Sequence, residues 1–183
     1  LSMGCLISPV TISVLIASLV LAGNDNKTIK AILQDDFRAS FRSERTDVRG
    51  SMDKTITILL KTWVTTSSTL HELRDDGFKL LQTRSSSLSP HDLSLAVHWG
   101  MLTAAYPFWS GVAAQVGRLL RLQGTAAAVH VQRRVREQYG ERETVSRRAR
   151  YVLRSFLDWG VLQESGSKGI YTGGKPIMIE DAR

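Results

Sequence analysis

Apolar residues recur along this chain at helical spacing almost throughout, and short polar or Gly-containing breaks divide them into segments. Residues 3–23 carry no charge and are rich in Leu, Ile and Val. Ser8 and Pro9 read as an N-cap followed by a first helical position, and Gly23 as a stop, which predicts a core helix over 9–22. A membrane span needs roughly 20 apolar residues, and no basic residue precedes Lys27, so neither a span nor a signal peptide is expected. Asn24 or Asp25 can cap a second helix whose inner face is Ile29, Ile32 and Leu33. A polar stretch at 38–46 predicts a loop. Val48, Met52, Ile56, Leu59, Leu60 and Trp63 then predict a helix over 47–64. Thr69 and Glu72 have capping-box spacing for a fourth helix bearing Leu70 and Leu73, with a break at Gly77 before Leu80 and Leu81. The Ser-rich run at 84–89 is the sharpest change in composition, and it places a boundary between units 1–88 and 89–183.

Beyond that run, Ser89, Pro90 and Asp92 open a nearly all-apolar helix over 90–105, and Pro107 opens another that ends at Gln123 and Gly124. A helix to Tyr139 and Gly140, a short turn and a helix over 144–159 follow. In that last segment Val145, Ala149, Val152, Leu153 and Phe156 form a packing stripe, and Ser146, Arg147, Arg150, Tyr151, Arg154 and Asp158 are assigned to the opposite side. Residues 161–164 and 170–172 predict two strands joined by a Gly-rich turn at 165–169. The expected class is mainly α, an N-terminal helical bundle followed by helices and a small β-hairpin.

Charge makes this second half stand out. Ten arginines and three glutamates lie between Arg118 and Arg154, so that segment alone carries the excess that gives the whole chain its formal +7. A positive charge gathered on one helical unit suits a polyanion, with nucleic acid the leading candidate. Hydrophobic content of 43% provides for a core and excludes a disordered polycation. The single cysteine, Cys5, excludes an internal disulfide and fits a reducing cytoplasm.

Two helices joined by a short Gly-containing turn, the second followed by a hairpin, are the order of a helix-turn-helix with a wing. The chain resembles winged helix-turn-helix DNA-binding domains in Leu119 and Leu120, the Gly124-Thr125 break, Tyr139-Gly140, the Thr144-Val-Ser-Arg-Arg148 run, and Gly160-Val-Leu162 with its Gly-rich turn. This resemblance implies that helix 144–159 reads duplex DNA, with the wing at 161–173 beside it. Ser146, Arg147 and Arg150 are then the base-facing candidates, since arginine can pair with guanine O6 and N7. Tyr151 shares their face. Arg148, Arg154, Arg133, Arg134, Arg136 and Lys168 are assigned to phosphates. More widely, the apolar N-terminal helix, the helix start at 106–109 and the terminal Arg-rich helix ending in Trp159-Gly-Val-Leu162 resemble the BrxA family of bacterial BREX phage-exclusion systems. That likeness implies a DNA-binding accessory of phage defence. It also implies a second helix-turn-helix-like unit at 27–64, with Arg42, Arg45 and Arg49 as secondary contacts.

No catalytic constellation accompanies these features, and neither enzyme activity nor a cofactor or metal is expected. Residues 169–175 satisfy the Gly and Lys positions of a phosphate-binding loop, but Pro176 replaces the hydroxyl residue that would hold magnesium. His71, His91, His98 and His130 lack ligand spacing, and His98 beside Trp99 reads as a core histidine. An Arg-rich helix can also be a plain solvated face, or dock a protein. The expected partner is duplex DNA; proteins of a defence operon and a second copy of the chain are further candidates, and no membrane is expected. The alternatives to a defence accessory are an adaptor that docks a larger enzyme of the same operon, and a transcriptional regulator.

Overall fold

The computed structural model describes residues 9–40, 48–83 and 89–177. Cys5, Ser8, Arg42 and Arg45, and the side chain of Arg49, lie outside the described residues. The described chain is mainly helical, with eight α-helices and one small three-stranded antiparallel sheet. Among the described residues no helix is long and apolar enough to cross a membrane. The chain divides into two compact units between Ala105 and Tyr106.

The first unit holds α1 (Pro9–Leu21), α2 (Asn26–Ser40), α3 (Val48–Trp63), α4 (His71–Thr83) and α5 (Pro90–Ala105). Asp25 caps α2: its Oδ1 accepts from the Thr28 backbone N–H at 2.8 Å, and the Thr28 hydroxyl, with that N–H second to it, holds the carboxyl below the ordinary range. Ser89 caps α5 in the same way, through the Asp92 N–H at 3.1 Å. Ile12 and Ile16 of α1, Ile29, Leu33 and Phe37 of α2, Ile56 and Trp63 of α3, Phe78 of α4 and Met101 of α5 form one core. Trp63 stacks on Phe78 with ring centres 5.4 Å apart.

Three expectations change in this unit. Thr69 does not start α4. It lies in a 3-10 turn (Ser68–Leu70), and α4 begins only at His71. Gly77 does not break that helix either. It is buried inside α4, where a Cβ would stand 2.9 Å from Val97 Cγ1, so the glycine lets α5 approach closely. With the helix continuous, Phe78 takes the inner position and Leu73 and Leu80 are exposed. Finally, α5 packs with the first four helices, so the unit ends at Ala105 rather than at the Ser-rich run.

His98 explains part of that attachment. It is buried in α5, its Nδ1 lies 3.2 Å from Ser13 Oγ of α1, and its ring stacks on Trp63 at 5.9 Å. Burial pushes its imidazole down from 6.5 to about 4. The unfolded chain therefore takes up a proton below about 6.5, and the folded chain only below about 4. Stability is full above that window and drains as pH falls through it, by on the order of 3 kcal/mol. Urea midpoints measured at pH 7.5 and 4.5 should separate accordingly, and His98→Gln should narrow the separation. An equal separation in that variant would refute this origin.

The second unit begins at Tyr106. It comprises α6 (Pro107–Gln123), β1 (Ala126–Ala127), α7 (Ala128–Tyr139), α8 (Glu143–Asp158), β2 (Leu162–Glu164) and β3 (Ile170–Gly173). Gly124 ends α6 in the left-handed conformation at φ 71°, its N–H bonded to the Leu120 carbonyl. Strand β3 is central in the sheet. It pairs with β2 through Gln163 opposite Thr172, and with β1 through Ala126 opposite Tyr171. β1 went unforeseen because two alanines carry no strand signal of their own. The Ala128 N–H reaches the Gly169 carbonyl at 2.8 Å, which ties the start of α7 to the hairpin turn and satisfies one of its free donors.

Candidate nucleic-acid interface

The geometry of α8 follows from its period. Val145, Ala149, Leu153 and Phe156 are buried, and Trp109 of α6 meets Phe156 edge-on at 5.2 Å and 84°. Trp109 is thus a core residue. Tyr139 closes the far end of α7, donating its hydroxyl to the Pro107 carbonyl at 3.0 Å and meeting Phe108 edge-on. Gly111 is required beneath it, since a Cβ there would collide with the Tyr139 hydroxyl. These contacts hold α6, α7 and α8 together and turn the other side of α8 to solvent.

Glu143, Arg147, Arg148, Arg150, Tyr151 and Arg154 are all exposed on α8. Arg147, Tyr151, Arg154 and Asp158 follow one another at spacings of three or four residues, so they share one strip of surface. Glu143 and Arg150 lie along its edge, two turns apart, with Arg150 Nη2 3.1 Å from Glu143 Oε1. Arg154 Nε donates to Asp158 Oδ1 at 3.1 Å. Arg147 and Arg148 have no acid within ion-pair distance among the described residues. They are the uncommitted cations of this face.

Ser146 is a correction. It is 5% exposed, and its Oγ has no hydrogen-bond partner among the described residues. The reason is angular: Ala149 and Leu153 stand three and seven residues beyond it, on the same flank of the helix, and both are buried. It is not base-facing. Ser146→Ala removes an unsatisfied buried hydroxyl and adds helix propensity, so unchanged or slightly raised stability is expected, by up to about 1 kcal/mol. Duplex binding should not change. A thermal melt beside a binding curve checks both, and a loss of affinity in a folded variant would restore Ser146 to the interface.

The basic residues of α7 and of the hairpin are less uniformly exposed. Arg133 is exposed and lies 3.6 Å from Glu137, one turn further on. Arg136 lies 3.1 Å from Glu141 Oε2 and is about one-third exposed. Arg134 is half-buried, with a buried Nε lacking a partner among the described residues. Lys168 stands exposed at the hairpin tip between two left-handed glycines, Gly166 and Gly169. Exposed ion pairs of this kind contribute little to stability, about 0–1 kcal/mol each. Their acids can therefore be exchanged for phosphate oxygens at small cost. Glu143 carries no motif of its own, and only its seven-residue spacing from Arg150 marks it in the sequence. The arginines Arg118, Arg121 and Arg142, counted in the charge but given no role, are exposed as well.

No protein-family model, curated protein or solved structure matches the chain.

Proposed function

We propose that the second unit is a winged helix-turn-helix that binds duplex DNA without catalysis, with α8 in the major groove and the β2–β3 hairpin as wing. The order α6, β1, α7, α8, β2, β3, with β3 between β1 and β2, supports this assignment. One observation carries it: α8 buries its apolar stripe and exposes Arg147, Arg148, Arg150 and Arg154 on its other sides. A helix so mounted can meet phosphates on both groove walls while its first turns face base edges. In this reading Arg147 and Arg150 face bases beside Tyr151. Arg148, Arg154, Arg133, Arg134, Arg136 and Lys168 meet the backbone. The resemblance to BrxA proteins extends the proposal to an accessory role in phage defence, for which neighbouring genes encoding a methyltransferase and a large ATPase would be the expected setting.

Titration of random-sequence duplex at two salt concentrations tests the core of this reading. Affinity should fall steeply with salt, with a logarithmic slope of about −0.9 per phosphate neutralised. Binding no tighter than that of an unrelated protein of equal charge would refute it. A second reading, an adaptor for a larger enzyme, draws on the 69% exposed Leu122 and 68% exposed Val129 of the same unit. Co-purification with an operon partner, lost on Leu122→Ser, would favour that reading.

A further inference from the structure

We infer that Glu143 is a specificity-determining residue of the proposed duplex-reading face, an inference that rests on that reading. Among the exposed residues in the first two turns of α8, Glu143 is the one acid, and the N-terminal turns of a recognition helix come nearest to base edges. Its side chain is 75% exposed and is engaged by Arg150, whose own side chain is 56% exposed. A carboxylate there repels every phosphate, so it lowers affinity for DNA in general. In the major groove it can only accept: cytosine N4 suits it best, adenine N6 less because the acceptor N7 stands beside it, and guanine O6 and N7 repel it.

The ion pair couples two contacts. Arg147 carries no acid partner among the described residues and can engage whatever anion or acceptor is offered. Arg150 is held by Glu143 and leaves that carboxylate unpaired if it moves to a phosphate. It engages without this loss where Glu143 finds a donor of its own, as beside the cytosine of a C·G pair. The favoured target is thus a duplex with a C·G pair under the first turn of α8. Glu143 excludes other sequences through the contact that it cannot make. A first-turn acid also suits the helix dipole, but that role predicts no effect on base preference.

The test compares the full chain with Glu143→Gln and with Glu72→Gln, which removes an exposed first-turn acid from α4 and so controls for net charge. Each is titrated with random-sequence duplex over a salt series, and each is used to select sites from a randomised duplex library. Glu143→Gln should bind random duplex about fivefold more tightly, with a salt slope steeper by about 1, because no carboxylate then offsets a cation of the face. Its selected sites should lose the C·G preference at one position, whereas Glu72→Gln should match the parent in both readouts. Unchanged or weaker random-duplex affinity in Glu143→Gln, or a retained preference, overturns the role of Glu143 and leaves DNA binding standing. A parent chain that binds no duplex overturns the DNA-binding reading and this inference together.

Discussion

Replacing Arg147 and Arg150 together by alanine is expected to weaken duplex binding by on the order of a hundredfold, with the fold unchanged. Each arginine can make a bidentate contact worth about 1–3 kcal/mol, and the two lie on one exposed face of α8. Removing Arg150 also strips Glu143 of its partner and leaves a bare carboxylate facing the DNA. Arg148→Ala should act differently. That side chain lies to one side of the strip, and its loss should weaken all sequences alike and flatten the salt slope by about 1. Binding curves at one stated moderate salt concentration, beside circular dichroism of each variant, decide the matter. Parental affinity in the folded double variant would end the assignment of α8 as the reading helix.

Phe156→Ala carries the largest expected effect on stability. Phe156 is 1% exposed, on the inner side of α8, and its ring meets Trp109 edge-on. Truncation of a buried Phe typically costs about 3–5 kcal/mol, from lost burial and from the cavity left behind. The aromatic pair contributes about 0.5–1.5 kcal/mol beyond area. A unit running only from Tyr106 to the end of the hairpin has few other large anchors, so the variant should leave it partly unfolded at 37 °C. The first unit has its own core around Trp63, Phe78 and Ile56. Urea unfolding should therefore resolve into two transitions, with only one displaced. A shift below about 1 kcal/mol would show that α8 is not held in this way.

The helical class and most helix limits were legible because they depend on short-range signals. Asp25 and Ser89 cap where their side chains allow it, Pro90 and Pro107 open helices, and Gly124 closes one. The expected helix over 144–159 lies one residue from the observed Glu143–Asp158. The hairpin also followed from local chemistry, with Gly166 and Gly169 supplying its positive φ angles. Within the candidate interface, exposed Arg147, Arg150, Tyr151 and Arg154 could be placed by helical period alone.

Other features depended on what lies across the fold. Gly77 reads as a breaker until Val97 is seen above it, after which it reads as a contact point between two helices. β1 exists because β3 offers an edge to Ala126 and Ala127, a fact recorded in neither alanine. Ser146 is polar, and polarity alone sent it outward, but its flank is shared with Ala149 and Leu153 and is covered. The unit boundary moved for a similar reason: the Ser-rich run marks a change in composition, whereas α5 belongs where its His98 and Met101 are buried. By itself, then, the sequence determined where helices start and stop, which stripe of α8 is apolar, and that the positive charge gathers in the second half. Tertiary structure decided which flanks are covered, as at Gly77 and Ser146, and where β1 finds its partner. Helix propensity, capping and the ion pairs along one helix are settled within a few residues of chain, while burial and strand pairing depend on atoms that only the folded backbone brings together.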